Sequence, residues 1–83
     1  MRNSFACKVC GFLHDSRPWG ETGHEPSFEI CSCCGVEFGY EDATPLAAQT
    51  YRSNWIKQGC PWFEPGRRPP AWNLEDQMRE NLE

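Results

Sequence analysis

Two short units of the same pattern, Cys-x-x-Cys-Gly at residues 7–11 and again at residues 31–35, carry the chemistry of this sequence. Two thiolates three positions apart converge on one ion when the backbone folds into a tight knuckle. The amides after the first cysteine then point at its sulfur, and the glycine after the second supplies the positive φ that closes the turn. Twenty residues separate Cys10 from Cys31, so folding must bring the two knuckles together. Cys7, Cys10, Cys31 and Cys34 would then make a tetrahedral sulfur cage, the usual structural zinc site, and one zinc ion is the expected cofactor. Three other readings stand beside it: reduced core thiols, a mixed cage in which His14 or His24 replaces a cysteine, and iron in place of zinc. Both histidines fall in a polar loop, where solvation is the ordinary expectation. Cys33, inside the second knuckle, can compete as a ligand, although the Cys31/Cys34 spacing matches the first pair better. Cys60 reads as a packed thiol, with no activating base near it in sequence.

The elements that must position these thiols follow from the patterning. Residues 4–7, 27–31 and 36–40 suggest short antiparallel strands around the knuckles, the last two by polar/apolar alternation. Residues 14–27, with Pro18, Gly20, Gly23 and Pro26, read as a loop anchored by Trp19. Thr44 as N-cap, Pro45 at the first helical position and an apolar face at Ala47/Ala48, Tyr51 and Trp55 predict a main helix over 45–58, stopped by Gly59. Pro65, Pro69 and Pro70 oppose regular structure in the following segment. Asn73 can cap a short terminal helix bearing Glu75 and Asp76 in its first turn and Leu74, Met78 and Leu82 on one side. The fold class expected is a small α+β metal-stapled domain: a zinc ribbon over 1–42 and a helical extension over 43–83, together one domain.

Composition sets bounds on this reading. An 83-residue chain that is 39% hydrophobic builds a thin core, though four Trp, five Phe and two Tyr concentrate what apolar area there is. A domain of this size usually carries a staple. With no secretory signal and no membrane-spanning stretch in view, a cytoplasmic location and reduced thiols are expected, which favours metal over disulfide. The formal charge is −4, and four ligated thiolates with one divalent ion would lower it to about −6. Phosphate backbones repel such a chain and basic proteins attract it, so nucleic acid is disfavoured as a partner. Local help could come only from Lys8, Arg17, Arg67 and Arg68 clustered with Trp19.

Residues 7–11, the run Phe28-Glu29-Ile30-Cys31-Ser32-Cys33-Cys34-Gly35 and the later Gly59-Cys60-Pro61-Trp62-Phe63 resemble small bacterial proteins of the cysteine-rich CPCC type. The resemblance extends over most of the chain, including Trp72, Asn73 and Gln77. Ser32 stands where that family usually has proline, which loosens the turn without touching a ligand. The resemblance implies the fold and the metal, and some members of the family lie in toxin–immunity gene neighbourhoods. Rubredoxins use the same paired knuckles, which keeps an iron electron carrier as an alternative, with Phe5, Phe12, Trp19 and Phe38 as a possible aromatic core. No catalytic set is visible, and four thiolates leave no open coordination position, so the chain is expected not to be an enzyme or to take a small-molecule substrate. The expected function is a protein-binding module, specifically an immunity-like inhibitor of a basic partner such as a toxin. A nucleic-acid-binding ribbon is the alternative. Trp62, Phe63, Arg67, Arg68 and Trp72 are the candidate partner-binding residues, with most of the rings expected in the core.

Overall fold

The computed structural model describes residues 3–82. Two helices are present: α1 (Pro45–Lys57) and α2 (Leu74–Leu82), joined by an irregular segment with one 3-10 turn at Pro65–Arg67. The start of α1 follows from its cap. Thr44 is extended, its Oγ1 accepts the Ala47 N–H at 3.0 Å, and Pro45 opens the first turn. Ala48, Tyr51, Arg52 and Trp55 recur at helical spacing and face inward, with Ala48 and Trp55 buried. The start of α2 is set by Asn73, whose Oδ1 accepts the Asp76 N–H at 3.1 Å. No helix among the described residues is long and apolar enough to cross a membrane.

The strands expected around the knuckles are not found among the described residues. Each knuckle is closed instead by a single antiparallel bridge, Ala6 with Leu13 and Ile30 with Glu37. The arms are too short to pair further. The Ala6 N–H turns back onto the Asn3 carbonyl at 3.0 Å, and Phe28 takes a left-handed φ of 61° that breaks the extended run before Cys31. Beyond Glu37 the chain turns at once, with the Tyr40 and Glu41 amides both bonding the Glu37 carbonyl at 3.2 Å. Alternation in the sequence was real, but turns on either side confine it to one bridge per arm.

The core is built on the cysteines themselves. Cys7, Cys10, Cys31, Cys33 and Cys34 are buried with Val9, Val36, Phe38, Ala48, Trp55 and Trp62. A line of edge-to-face rings runs through it, with His14 on Phe38 at 5.1 Å, Phe12 on His14 at 5.2 Å, Phe12 on Trp62 at 5.5 Å and Trp62 on Trp72 at 5.2 Å. Asp42 is buried beneath the loop, its carboxylate accepting the Trp19 Nε1–H at 3.0 Å and the Gly39 N–H at 2.8 Å. That pair of bonds holds the 14–27 loop to the start of α1.

Helix α2 packs directly on the first knuckle. A Cβ added at Gly11, where φ is +84°, would lie 3.1 Å from the Gln77 carbonyl oxygen and 3.3 Å from the Met78 Cα. Gly23 has nearly the same φ, +81°, with nothing within 4 Å. Gly23→Ala should therefore cost only the left-handed backbone penalty, about 1–2 kcal/mol. Gly11→Ala should cost about 1–3 kcal/mol more, because the methyl must displace helical backbone. Denaturant midpoints of the two variants test this, and equal losses would show that α2 does not rest on Gly11.

Candidate metal centre

The two knuckles are built alike, with each residue of the first matched by the residue 24 positions later. The Gly11 N–H bonds the Cys7 carbonyl at 2.8 Å, and the Gly35 N–H bonds the Cys31 carbonyl at 2.9 Å. The Cys7 N–H bonds the Phe12 carbonyl as the Cys31 N–H bonds that of Val36, both at 2.9 Å. The next rung repeats too, His14 N–H to Phe5 oxygen and Phe38 N–H to Glu29 oxygen. Gly11 and Gly35 have φ of +84° and +80°, as such turns require.

This internal repeat brings Cys7, Cys10, Cys31 and Cys34 together. Their four Sγ atoms all lie within 4.8 Å of one another. Cys7 Sγ is 3.7 Å from Cys34 Sγ, and Cys10 Sγ is 3.7 Å from Cys31 Sγ. Such separations are far beyond a disulfide bond of about 2.0 Å. They match the edge of about 3.8 Å that a tetrahedron with metal–sulfur bonds of about 2.3 Å requires. The donor set is four thiols, all buried, with Cys34 the most exposed at 4%. This arrangement can hold one metal ion.

The thiols of the cluster differ in how firmly they hold their protons. The Val9 N–H points at Cys7 Sγ at 3.4 Å. Hydrogen bonds from Cys10, then from Cys34 and Cys7, hold the Cys31 thiol far below its ordinary range, and His14 acts in the same direction. Burial pushes the Cys10 thiol up. Metal binding to such a cluster would release the protons its thiols still hold.

The knuckle carbonyls need donors of their own. The C-terminal half supplies them. Arg52 on α1 donates its Nε–H to the Val9 carbonyl at 2.6 Å and its Nη2–H to that of Lys8 at 2.9 Å. Gln77 and Asn81 on α2 donate to the carbonyls of Cys10 and Gly11 at 2.9 and 2.8 Å. On the second knuckle, the Glu64 and Phe63 amides bond the Ser32 and Cys33 carbonyls, and the Tyr51 hydroxyl donates to the Cys34 carbonyl. With the two glycine amides, every carbonyl from residue 7 to 11 and from 31 to 34 accepts a hydrogen bond. The sequence marks the thiols plainly but not these donors, because single polar residues on an amphipathic helix look like solvent-facing ones.

Cys33 occupies, in the second knuckle, the place that Val9 occupies in the first; both are fully buried, and Cys33 lies outside the four-sulfur cluster. Ser32 is buried as well, donating its hydroxyl to Glu64 Oε1 at 2.7 Å and accepting from Arg67 Nη1 at 3.1 Å. His24 is exposed in the loop. His14 is not the solvated residue its loop position suggests: its ring is wedged between Phe12 and Phe38, and its Nε2 is buried without a hydrogen-bond partner.

Of the candidate partner-binding residues, Trp62 is buried at 9% exposure because its ring is packed edge-on with Phe12 and Trp72. Trp72 is half-buried, with the Arg68 guanidinium over its ring at 5.5 Å. Arg67 stands over Phe12 at 5.6 Å. Phe63 alone of the three rings projects outward, at 56% exposure.

Cys60 is the most accessible thiol. Burial, then the nearby Cys33, raises its pKa. A raised pKa lowers the thiolate fraction near neutrality, so alkylation should be slower than for a free cysteine and should accelerate as pH rises. In metal-loaded native protein, intact mass after iodoacetamide should show one slow label on Cys60, against six in denatured, chelated protein. Rapid labelling of several native thiols would contradict the buried cage.

The fold and site define a small two-helix protein organised around a four-cysteine candidate metal centre. It is similar to two proteins of Bacillus subtilis (strain 168). The uncharacterized protein YoaQ is 31% identical over 74 residues, covering 71% of this chain and 63% of its own length. The uncharacterized protein YozI is 30% identical over 81 residues, covering 78% of this chain and 67% of its own length. The chain belongs to the family of YozI, and it spans less than two thirds of YoaQ. No family model and no solved structure matches it.

Proposed function

We propose that this chain is a cytoplasmic, non-enzymatic zinc protein of the zinc-ribbon type, acting as a protein-binding module for a basic partner. The observation that carries this reading is the closure of the cage. All four corners of a tetrahedron are thiols, and all are buried, so a bound zinc would have no position for water or substrate. Zinc in such a site contributes folding free energy and cross-links the two knuckles. The resemblance to CPCC-type proteins, with their toxin–immunity neighbourhoods, supports an immunity-like inhibitor as the specific form.

The surface that suits a partner is a groove of about 590 Å³ beside the second knuckle, between α1 and the segment after it. Tyr51, Trp55, Trp62 and Phe63 line it with Gly35, and Glu41 adds a carboxylate. An aromatic wall beside an acid fits an apolar side chain flanked by lysine or arginine. The nucleic-acid reading gains less support. One face of Trp19 carries the Lys8 Nζ at 3.8 Å, and Arg17 bonds Ser4 and lies over Phe5. Tetrahedral sulfur suits iron as well as zinc, so a rubredoxin-like carrier is separated by metal content and visible spectrum.

The functional test pairs a native pull-down with binding measurements on what is captured. A basic protein bound by the wild-type chain, weakened by salt and weakened at least tenfold by Phe63→Asp, is the expected result. Captured proteins that bind Phe63→Asp equally well and ignore salt would defeat the proposed surface.

A further inference from the structure

Between Arg17 and Arg52 the chain has six acids and no lysine or arginine; the rest of it carries all eight Lys and Arg against six acids. This acidic stretch supplies both arms of the second knuckle. Ile30 sits opposite Glu37 in the bridge, and the Phe38 N–H bonds the Glu29 carbonyl at 3.0 Å. Phe28 is 62% exposed and Tyr40 73%, so two rings of these arms stand in water beside carboxylates. The φ of Phe28, 61°, is a left-handed value that strains a bulky side chain. Its ring lies over Gly39, where an added Cβ would come within 2.9 Å of Phe28 Cε1 and 2.8 Å of Pro26 Cγ. Burial does not offset the strain, because most of the ring stays in water. The internal repeat supplies the comparison. Ser4 and Ser16 stand 24 residues before Phe28 and Tyr40, and Ser4 has no left-handed φ. A knuckle of this kind therefore closes without either ring and without the strain. A strained, exposed ring that the fold does not require points to a use at the surface.

We infer that the arms of the second knuckle form a docking face for a partner protein, with Phe28 as its anchor and Ile30 and Tyr40 beside it. The occupant is a basic segment in which lysine or arginine alternates with apolar side chains. Glu25, Glu29 and Glu37 supply the opposite charge, which steers and selects such a segment. The same carboxylates repel nucleic acid and anionic lipid headgroups. Aromatic anchors carry a large share of the binding energy in such faces. The inference rests on the protein-binding reading given above, and it adds a contact that does not line the groove at Phe63.

The experiment titrates the zinc-loaded full chain, labelled with ¹⁵N, with a short synthetic peptide in which lysines alternate with leucines. Amide shifts are expected at residues 28–30 and 37–41, weakening with salt and absent for the matching glutamate–leucine peptide. Phe28→Asn, which tolerates a left-handed φ, should weaken peptide binding about tenfold, the scale of an interface anchor. Its denaturant midpoint should equal or exceed that of the wild type, because the strain is relieved. Ile56→Gln removes an exposed apolar side chain outside the acidic stretch and should bind as the wild type does. A lower midpoint for Phe28→Asn would assign the ring to the packing of the fold and overturn the inference. Shifts confined to Gly35 and residues 61–63, and lost in Phe63→Asp, would overturn it while leaving the groove reading in place. No salt-sensitive shift at either place would overturn both.

Discussion

Removing the metal should unfold this protein. Structural zinc sites of this kind contribute on the order of 10–16 kcal/mol, against the few kcal/mol that a core in an 83-residue chain supplies alone. Without a cation the interior here is five buried cysteines surrounded by a thin aromatic shell, and the knuckles lose the link between them. A strong chelator should therefore abolish the near-ultraviolet signal of the tryptophans and most helical signal together, and stoichiometric zinc should restore both. Zinc retention should also fail as pH drops, because four protons compete with one ion for the sulfurs. A thermal transition unchanged by chelator at neutral pH would remove the metal from the account of stability.

Single substitutions sharpen that expectation. Cys7→Ser, Cys10→Ser, Cys31→Ser and Cys34→Ser should each lower zinc occupancy and unfold the chain at room temperature or near it. Cys33→Val should not, because it places at position 33 the residue that already fills the matching position, Val9, of the first knuckle. Zinc content measured on the purified variants decides the assignment. Loss of zinc from Cys33→Val would move the ligand set.

What could be read from the sequence divides along a physical line. Contacts fixed by neighbours in the chain were legible. The Cys-x-x-Cys-Gly units, the Thr44-Pro45 helix start and the Asn73 cap each need only a few consecutive residues. The structure places all of them as expected, with α1 ending at Lys57, one residue short of the expected limit. Contacts that depend on distant segments were not legible. His14 lies in a polar stretch yet is half-buried, its ring against Phe38 at the matching position of the repeat. The strands failed for a local reason that alternation does not encode: the left-handed φ of Phe28 and the turn after Glu37 cut each arm short. The surplus C-terminal half, unexplained by any metal-binding pattern, turns out to hold the donors that the knuckle carbonyls need.

Arg52 is the strongest of those donors, and Arg52→Ala should be the most damaging change outside the cage and the large aromatic core. Its guanidinium spans two consecutive carbonyls, Lys8 and Val9, at the tip of the first knuckle. These bonds carry a full charge on the donor side, and losing them leaves two partly buried acceptors without replacements. The expected loss is about 2–5 kcal/mol. Lysine cannot substitute, since one ammonium lacks the fixed fork that reaches both oxygens, so Arg52→Lys should recover less than half. Lys57→Ala, an exposed cation in the last turn of the same helix, should cost under about 1 kcal/mol. The loss should also appear in the metal. A knuckle no longer held at its tip opens more often, so zinc should transfer to a colorimetric chelator faster from Arg52→Ala than from Lys57→Ala. Denaturant unfolding of the zinc-loaded variants and the transfer rate together decide the matter. Equal stability with faster transfer would make Arg52 a gate on the cage, and equal stability with equal transfer would show that the helix clamp contributes nothing.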